Sequence, residues 1–212
     1  MSRHFKENVT CPKCGKVTEI TVWESLNAQL NPKEKQQLMD GELFVFRCEC
    51  GYGAGIDSSM LYNDMEHKTM VYYVPESGKK ECEEMFANIR KTHSEFNLPE
   101  YTYRIVTSRD IIREKAIILD LGLDDRVMEL LKVFYYAQAS EQYPEEDIQE
   151  LLFYTLNGKW LLQFIGSVSL VAEINADIYE SVETSGMPAC FMVQCRLVYC
   201  SHSFLSFSGS AV

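Results

Sequence analysis

Apolar residues recur along this chain with two periods, and the change from one to the other divides it. Lys16 to Glu24 (KVTEITVWE) sets Val17, Ile20, Val22 and Trp23 among polar residues and predicts a strand. Asn31-Pro32-Lys33-Glu34 then predicts a short helix. Asn31 serves as its N-cap, Pro32 as its first helical residue and Glu34 as the reciprocal partner, with Gly41 closing the far end. Glu42 to Arg47 (ELFVFR) predicts a second strand. Ser58–Tyr62 and Thr69–Val74 predict a hairpin turning over Asn63–Lys68, and Pro75 ends the unit.

Beyond that point the period lengthens. Glu81 to Phe96 carries Met85, Phe86, Ile89 and Phe96 at helical spacing, and Tyr101–Val106 reads as a strand. Ser108 opens a helix that Gly122 ends. Asp124 and Asp125 open a stronger one, whose apolar face is expected to be Val127, Leu130, Leu131 and Phe134, with Met128 beside them. Leu151–Leu156 and Trp160–Ile165 flank Asn157-Gly158, the dipeptide favoured in a two-residue hairpin turn. A strand near Leu170–Ile174 and a helix from Ala176 follow. The expected fold is α+β: a β module with a short helical insertion over 1–76, then a helical and α+β part over 77–182. Residues 183–212 form an atypical tail rich in Ser and Cys. Its abrupt change of composition fits disorder or an artefactual C-terminus as well as a native apolar segment.

Composition narrows the function classes. Hydrophobic residues make up 46% of the 212, enough for a packed core. The net charge of -11 counts against broad binding to nucleic acid or anionic membrane. The deficit is uneven: residues 1–75 hold 8 Lys and Arg against 10 Asp and Glu, and the rest hold 12 against 21. MSRHFKENV lacks the apolar run of a secretory signal, and no segment approaches a membrane span. A cytoplasmic, reducing location is therefore expected, where clustered cysteines point to metal or catalysis before disulfides.

Four of the eight cysteines fall in two close pairs, Cys11 with Cys14 and Cys48 with Cys50, each followed by a glycine. Two tight turns presenting two sulfurs apiece supply the closed thiolate tetrahedron that Zn²⁺ prefers in structural sites. Glycine accepts the left-handed backbone that aims amide N–H groups at the sulfurs, and Lys13, Lys16 and Arg47 lie close enough to offset thiolate charge. The second pair is Cys-x-Cys, one residue shorter than the first. A redox Cys-x-x-Cys sits ahead of a helix, whereas this one precedes a strand; four thiolates likewise leave no open position for catalytic water. His67 and Asp64 are expected in a solvated turn, His93 on a helix surface and Cys82 as a small hydrophobe. Cys190, Cys195, Cys200 and His202 match no ligand spacing. The aromatic residues Phe134, Tyr135, Tyr136, Phe153, Tyr154 and Trp160 are expected in a core.

CPKCG, ELFVFRC leading into the second pair, MLYNDMEHKTMVYYVP and REKAIILDLGLDDRVMELLK occur in the order seen in a known family. The chain resembles the CpXC-domain proteins of bacteria and archaea, named for two Cys-Pro-x-Cys motifs, over about residues 8–135. The resemblance implies a zinc-ribbon-like module with an appended α+β part, and implies no activity. Cys48-Glu49-Cys50 departs from it by lacking the proline and one residue. The function expected is a non-catalytic zinc-binding interaction or regulatory module with an unidentified protein partner. A nucleic-acid-binding ribbon, or an enzyme with a site in the C-terminal part, stays open as an alternative.

Overall fold

The computed structural model describes residues 2–84, 100–167 and 170–185, together with the backbone of Val198–Tyr199. The chain is a mixed α+β protein whose described residues divide into two compact units, one over Met1–Ala116 and one beginning at Ile117. No helix among these residues is long and apolar enough to cross a membrane.

The first unit is built on a five-stranded mixed sheet. Strands β1 (Arg3–Thr10), β2 (Val17–Asn27), β5 (Met60–Asp64), β6 (Thr69–Tyr73) and β7 (Thr102–Val106) lie in that spatial order. β7 pairs parallel with β6, so the sheet extends past residue 76. β2 joins β5 only through Ser25–Asn27; the rest of β1 and β2 forms a two-stranded ribbon. β1 has no expectation from the pattern, because RHFKENVT offers only Phe5 and Val9 as apolar residues. Almost every position of β1 is exposed, so pairing with β2 rather than burial holds it extended.

Between β2 and β5 run helix α1 (Pro32–Met39) and a second small hairpin, β3 (Val45–Arg47) with β4 (Gly53–Gly55). The predicted strand over 42–47 is thus three residues long. Gly41, at φ +79°, ends α1 as expected. Its N–H reaches Leu38 C=O, and Glu42 N–H reaches Gln37 C=O, satisfying two terminal carbonyls. The opposite end differs from expectation: Asn31 makes no side-chain cap bond. Its Oδ1 instead accepts from Ser2 Oγ, and its amide group donates to Glu34 at 3.5 Å. Leu26, Leu38, Met60, Tyr62 and Val71 are fully buried and form the heart of this unit.

Helix α2 (Arg109–Asp120), capped by Ser108 Oγ, carries the chain into the second unit. There β8 (Ile148–Leu156), β9 (Lys159–Gly166), β10 (Leu170–Ile174) and β11 (Val198–Tyr199) form an antiparallel sheet. Asn157 and Gly158 have φ of +52° and +75° and join Leu156 to Lys159, the primed turn predicted for this dipeptide. Helix α3 (Asp125–Gln142) packs on β8 and on α4 (Ala176–Ser185), with Asp124 capping its first turn. Its buried face is Met128, Leu131, Tyr135 and Ala139, rotated from the face expected: Leu130 is 36% exposed. Tyr135 belongs inside because its hydroxyl reaches the Glu173 carbonyl at 3.3 Å, so the ring can be buried with its polar tip satisfied. Of the expected aromatic core, Tyr135 and Phe153 are buried, while Tyr136 is exposed.

The predicted helix over 81–96 is helical through 79–84; its remainder lies outside the described residues, as do His93, Cys190, Cys195, Cys200, His202 and the side chains of the tail beyond Ser185.

Candidate metal centre

Both cysteine pairs sit at the tips of β-hairpins. In the first, Thr10 faces Val17 across the β1–β2 ladder, leaving a six-residue loop, 11–16. Cys11 N–H bonds to Lys16 C=O at 2.9 Å, and Gly15 N–H turns back to Cys11 C=O at 2.8 Å. In the second, Arg47 faces Gly53, and the loop 48–52 has five residues. Cys48 N–H bonds to Tyr52 C=O at 2.8 Å, and Gly51 N–H to Cys48 C=O at 2.9 Å. The missing residue is absorbed within the loop: the inner bond spans four residues in the first knuckle and three in the second. The glycine keeps its place after the second cysteine in both, at φ +73° and +84°.

These loops bring the four sulfurs together. Cys11 Sγ lies 3.7 Å from Cys50 Sγ, Cys14 Sγ lies 3.5 Å from Cys48 Sγ, and all four ligand atoms fall within 4.8 Å of one another. A tetrahedron with metal–sulfur bonds of about 2.3 Å has sulfur–sulfur edges of about 3.8 Å. The two shortest separations match such an edge and are far beyond the roughly 2.05 Å of a disulfide. The donor set therefore fits one metal ion bound by four thiolates.

An apolar cushion supports the site from below. Cys11, at 1% exposure, packs with buried Phe46 and Cys48, while Val9, Ile20, Tyr52, Ala54 and Ile56 surround them. Cys14 is exposed and Cys50 half-buried, so the centre sits at the surface with its base in the core. The cushion comes from alternation in the flanking strands, legible for Ile20 but not for Val9, whose strand lacks an alternating pattern.

The electrostatics oppose four bare thiolates. Burial, the largest influence on Cys11, raises its pKa, but amide N–H groups of Cys14 and Lys13 and the thiols of Cys48 and Cys14 outweigh it and bring it down to about 7. Cys48 is drawn down most by the Cys50 amide, yet burial and its three thiol neighbours push it up to about 12. The first cysteine of each knuckle thus receives the amide of the second, and of these two sulfurs Cys11 is drawn toward ionisation while Cys48 is pushed away from it. A divalent cation at the centre would supply the charge that lets all four deprotonate. The flanking cations assist only partly. Lys13 Nζ reaches the Cys50 carbonyl at 3.4 Å, Lys16 is held by Glu49 at 2.6 Å, and Arg47 makes a two-point bond to Glu42 at 2.9 and 2.6 Å.

His67 lies in the β5–β6 turn as expected, but Asp64 is the last residue of β5 and is not solvated: it is 0% exposed. Asp64 Oδ1 accepts from Gln29 Nε2 at 2.8 Å and from the Glu66 and His67 amides at 3.1 Å, while Oδ2 meets His67 Nδ1 at 3.0 Å. Burial is the largest influence on its carboxyl and acts upward; the His67 and Gln29 bonds outweigh it and hold the carboxyl below the usual aspartate range. Gln29 also accepts from the Met65 amide at 2.9 Å, so this cluster ties the β2–α1 loop to the turn. Nothing in the spacing of Gln29 and Asp64 signalled it. Cys82 is buried, as expected for a small hydrophobe, and burial raises its thiol pKa.

The family model described as CpXC protein matches residues 9–132, more than half of the chain and all four cysteines, so the chain belongs to that family. No curated protein and no solved structure matches the chain.

Proposed function

We propose that this CpXC protein holds one structural Zn²⁺ on Cys11, Cys14, Cys48 and Cys50, and that its ribbon is a non-catalytic interaction module for a protein partner. One observation carries the reading: two hairpin tips of unequal length converge four sulfurs at separations that suit a thiolate tetrahedron. An all-sulfur tetrahedral set favours zinc or iron among the common metals, and zinc adds no redox chemistry of its own. With every coordination position filled by sulfur, the ion has none left for water or substrate, so its role is to fix the two knuckles.

The charge pattern of the ribbon favours protein over nucleic acid. Arg3 pairs with Glu24 at 3.3 Å, Lys6 with Glu19 at 3.3 Å, Lys16 with Glu49 at 2.6 Å and Arg47 with Glu42 at 2.6 Å. Cations engaged by carboxylates contribute little to the counterion release that drives phosphate-backbone binding. Native mass spectrometry tests the metal: one zinc per chain is expected, and none after Cys11 and Cys14 are both replaced by serine. An iron adduct, or no metal in protein from zinc-replete cells, contradicts the reading. Retention on DNA or RNA at low salt that fades steeply with added salt contradicts the choice of a protein partner.

A further inference from the structure

The outer edge of β1 pairs with nothing among the described residues, although the strand is eight residues long and contains no proline. Such an edge presents a row of free N–H and C=O groups, a template for another strand. On the same edge Phe5 is 44% exposed, flanked two residues away on either side by Arg3 and Glu7, both also exposed. Alternation places Arg3, Phe5 and Glu7 on one face of the strand, with His4 and Lys6 on the other.

We propose that β1 is a self-pairing edge, through which two copies of the chain join antiparallel in a register centred on Phe5. It rests on reading the ribbon as an interaction module and names a second copy of this chain as the partner.

Symmetry and charge favour self-pairing in one register among those near the middle of the exposed run. A two-fold axis perpendicular to a sheet keeps each residue on its own face, so an isologous antiparallel pairing must be centred on a residue of β1 facing its own copy. Centring on Lys6 sets two ammonium groups against each other, and centring on Glu7 sets two carboxylates together. Centring on His4 opposes Arg3 to Phe5 and leaves Glu7 without a cation. Centring on Phe5 places the two rings together and sets Arg3 of each copy, which meets Glu24 of its own chain at 3.3 Å, opposite Glu7 of the other, so that each guanidinium gains a second carboxylate beside an aromatic pair. On the other face His4, whose ring is tilted against Trp23 with centroids 4.6 Å apart, comes opposite Lys6. The bulge between Arg3 and His4 lies in the pairing with β2 and leaves the spacing of β1 itself regular.

Sedimentation equilibrium of the full-length, metal-loaded chain tests this, with native mass spectrometry of the same samples reporting metal content. The wild type is expected to pass with rising concentration from one chain of 24.4 kDa to two. Arg3→Glu alone sets carboxylate against carboxylate on either side of the ring pair, and Glu7→Arg alone sets guanidinium against guanidinium. Each is expected to weaken the dimer about tenfold or more. The double variant, carrying both Arg3→Glu and Glu7→Arg, restores it. An equimolar mixture of the two single variants forms a heterodimer in which both pairs are opposite in sign. Phe5→Glu abolishes association. Unchanged metal content in every variant separates loss of pairing from loss of the metal centre. A chain monomeric at the highest concentration, or a dimer indifferent to the charge reversals, overturns the proposal. Failure of the double variant and of the mixture to recover pairing overturns it equally.

Discussion

Replacing Asp64 with alanine deletes an acceptor for four donors at once: Gln29 Nε2, the amides of Glu66 and His67, and His67 Nδ1. Hydrogen bonds to a charged group contribute about 1.5–3 kcal/mol each, but Gln29, Glu66 and His67 are exposed enough to recover water after the deletion. Discounting three of the four on that ground leaves an expected loss of about 3 kcal/mol, including the small void where a fully buried side chain stood. Asp64→Asn is the informative companion. Its Oδ1 can still take Gln29 and the two amides, so only the charge and the Oδ2 contact with His67 go, and the loss falls to about 1 kcal/mol. The assay is urea unfolding of wild type, Asp64→Ala and Asp64→Asn across pH 7 to 3. The folded carboxyl titrates below its unfolded value, so its charge-dependent stability is fully present above about pH 5. That stability drains as pH falls through the ordinary aspartate value near 3.9 and on to the lower folded one. The gap between wild type and Asp64→Asn should therefore hold from pH 7 to 5 and close below about 4. Metal loss in acid is common to both proteins and cancels in the difference. An alanine variant within about 0.5 kcal/mol of wild type, or a gap unchanged down to pH 3, would refute the buried-carboxylate account.

Two further expectations concern the second unit. A Cβ on Gly166 would lie 1.8 Å from the Asp147 carbonyl oxygen, whereas one on Gly158 meets nothing within 4 Å but must accept φ +75°. Gly166→Ala should cost about 3 kcal/mol or more and Gly158→Ala about 1, measured by thermal unfolding; equal costs would contradict the backbone contact. Leu131→Ala, at a fully buried position of α3, should cost about 2–5 kcal/mol, while its neighbour Leu130→Ala should cost under about 1. A reversal of that order in denaturant midpoints would mean that α3 presents its other face.

What could be read from the amino acids was what short-range chemistry decides. Asn157-Gly158, Gly41, Gly122 and Asp124 each dictate a local backbone geometry, and each turn or helix end lies where they predict. The two cysteine pairs were legible for the same reason, since residue type and spacing alone restrict what they can do. β1 was not legible, because a strand exposed at almost every position needs no alternation; pairing with β2 holds it. The phase of α3 went astray between two apolar neighbours, Leu130 and Leu131, where the tertiary partner of Tyr135 settles which side turns inward. An acidic residue beside a turn is usually solvated, and the donor that lets Asp64 be buried instead, Gln29, comes from thirty-five positions away. The short Cys-Glu-Cys turn departs from the family's second motif, and the hairpin register accommodates it: a five-residue loop serves where the other uses six.

On the proposed reading, this shorter knuckle contributes both of its sulfurs to one tetrahedral ion. X-ray absorption at the zinc edge of the purified chain tests it most directly. Four sulfur neighbours at about 2.3 Å are expected, falling to three with a nitrogen or oxygen in the fourth place when Cys50 is replaced by serine. A wild-type site with fewer than four sulfurs, or one that Cys50→Ser leaves unchanged, would contradict it.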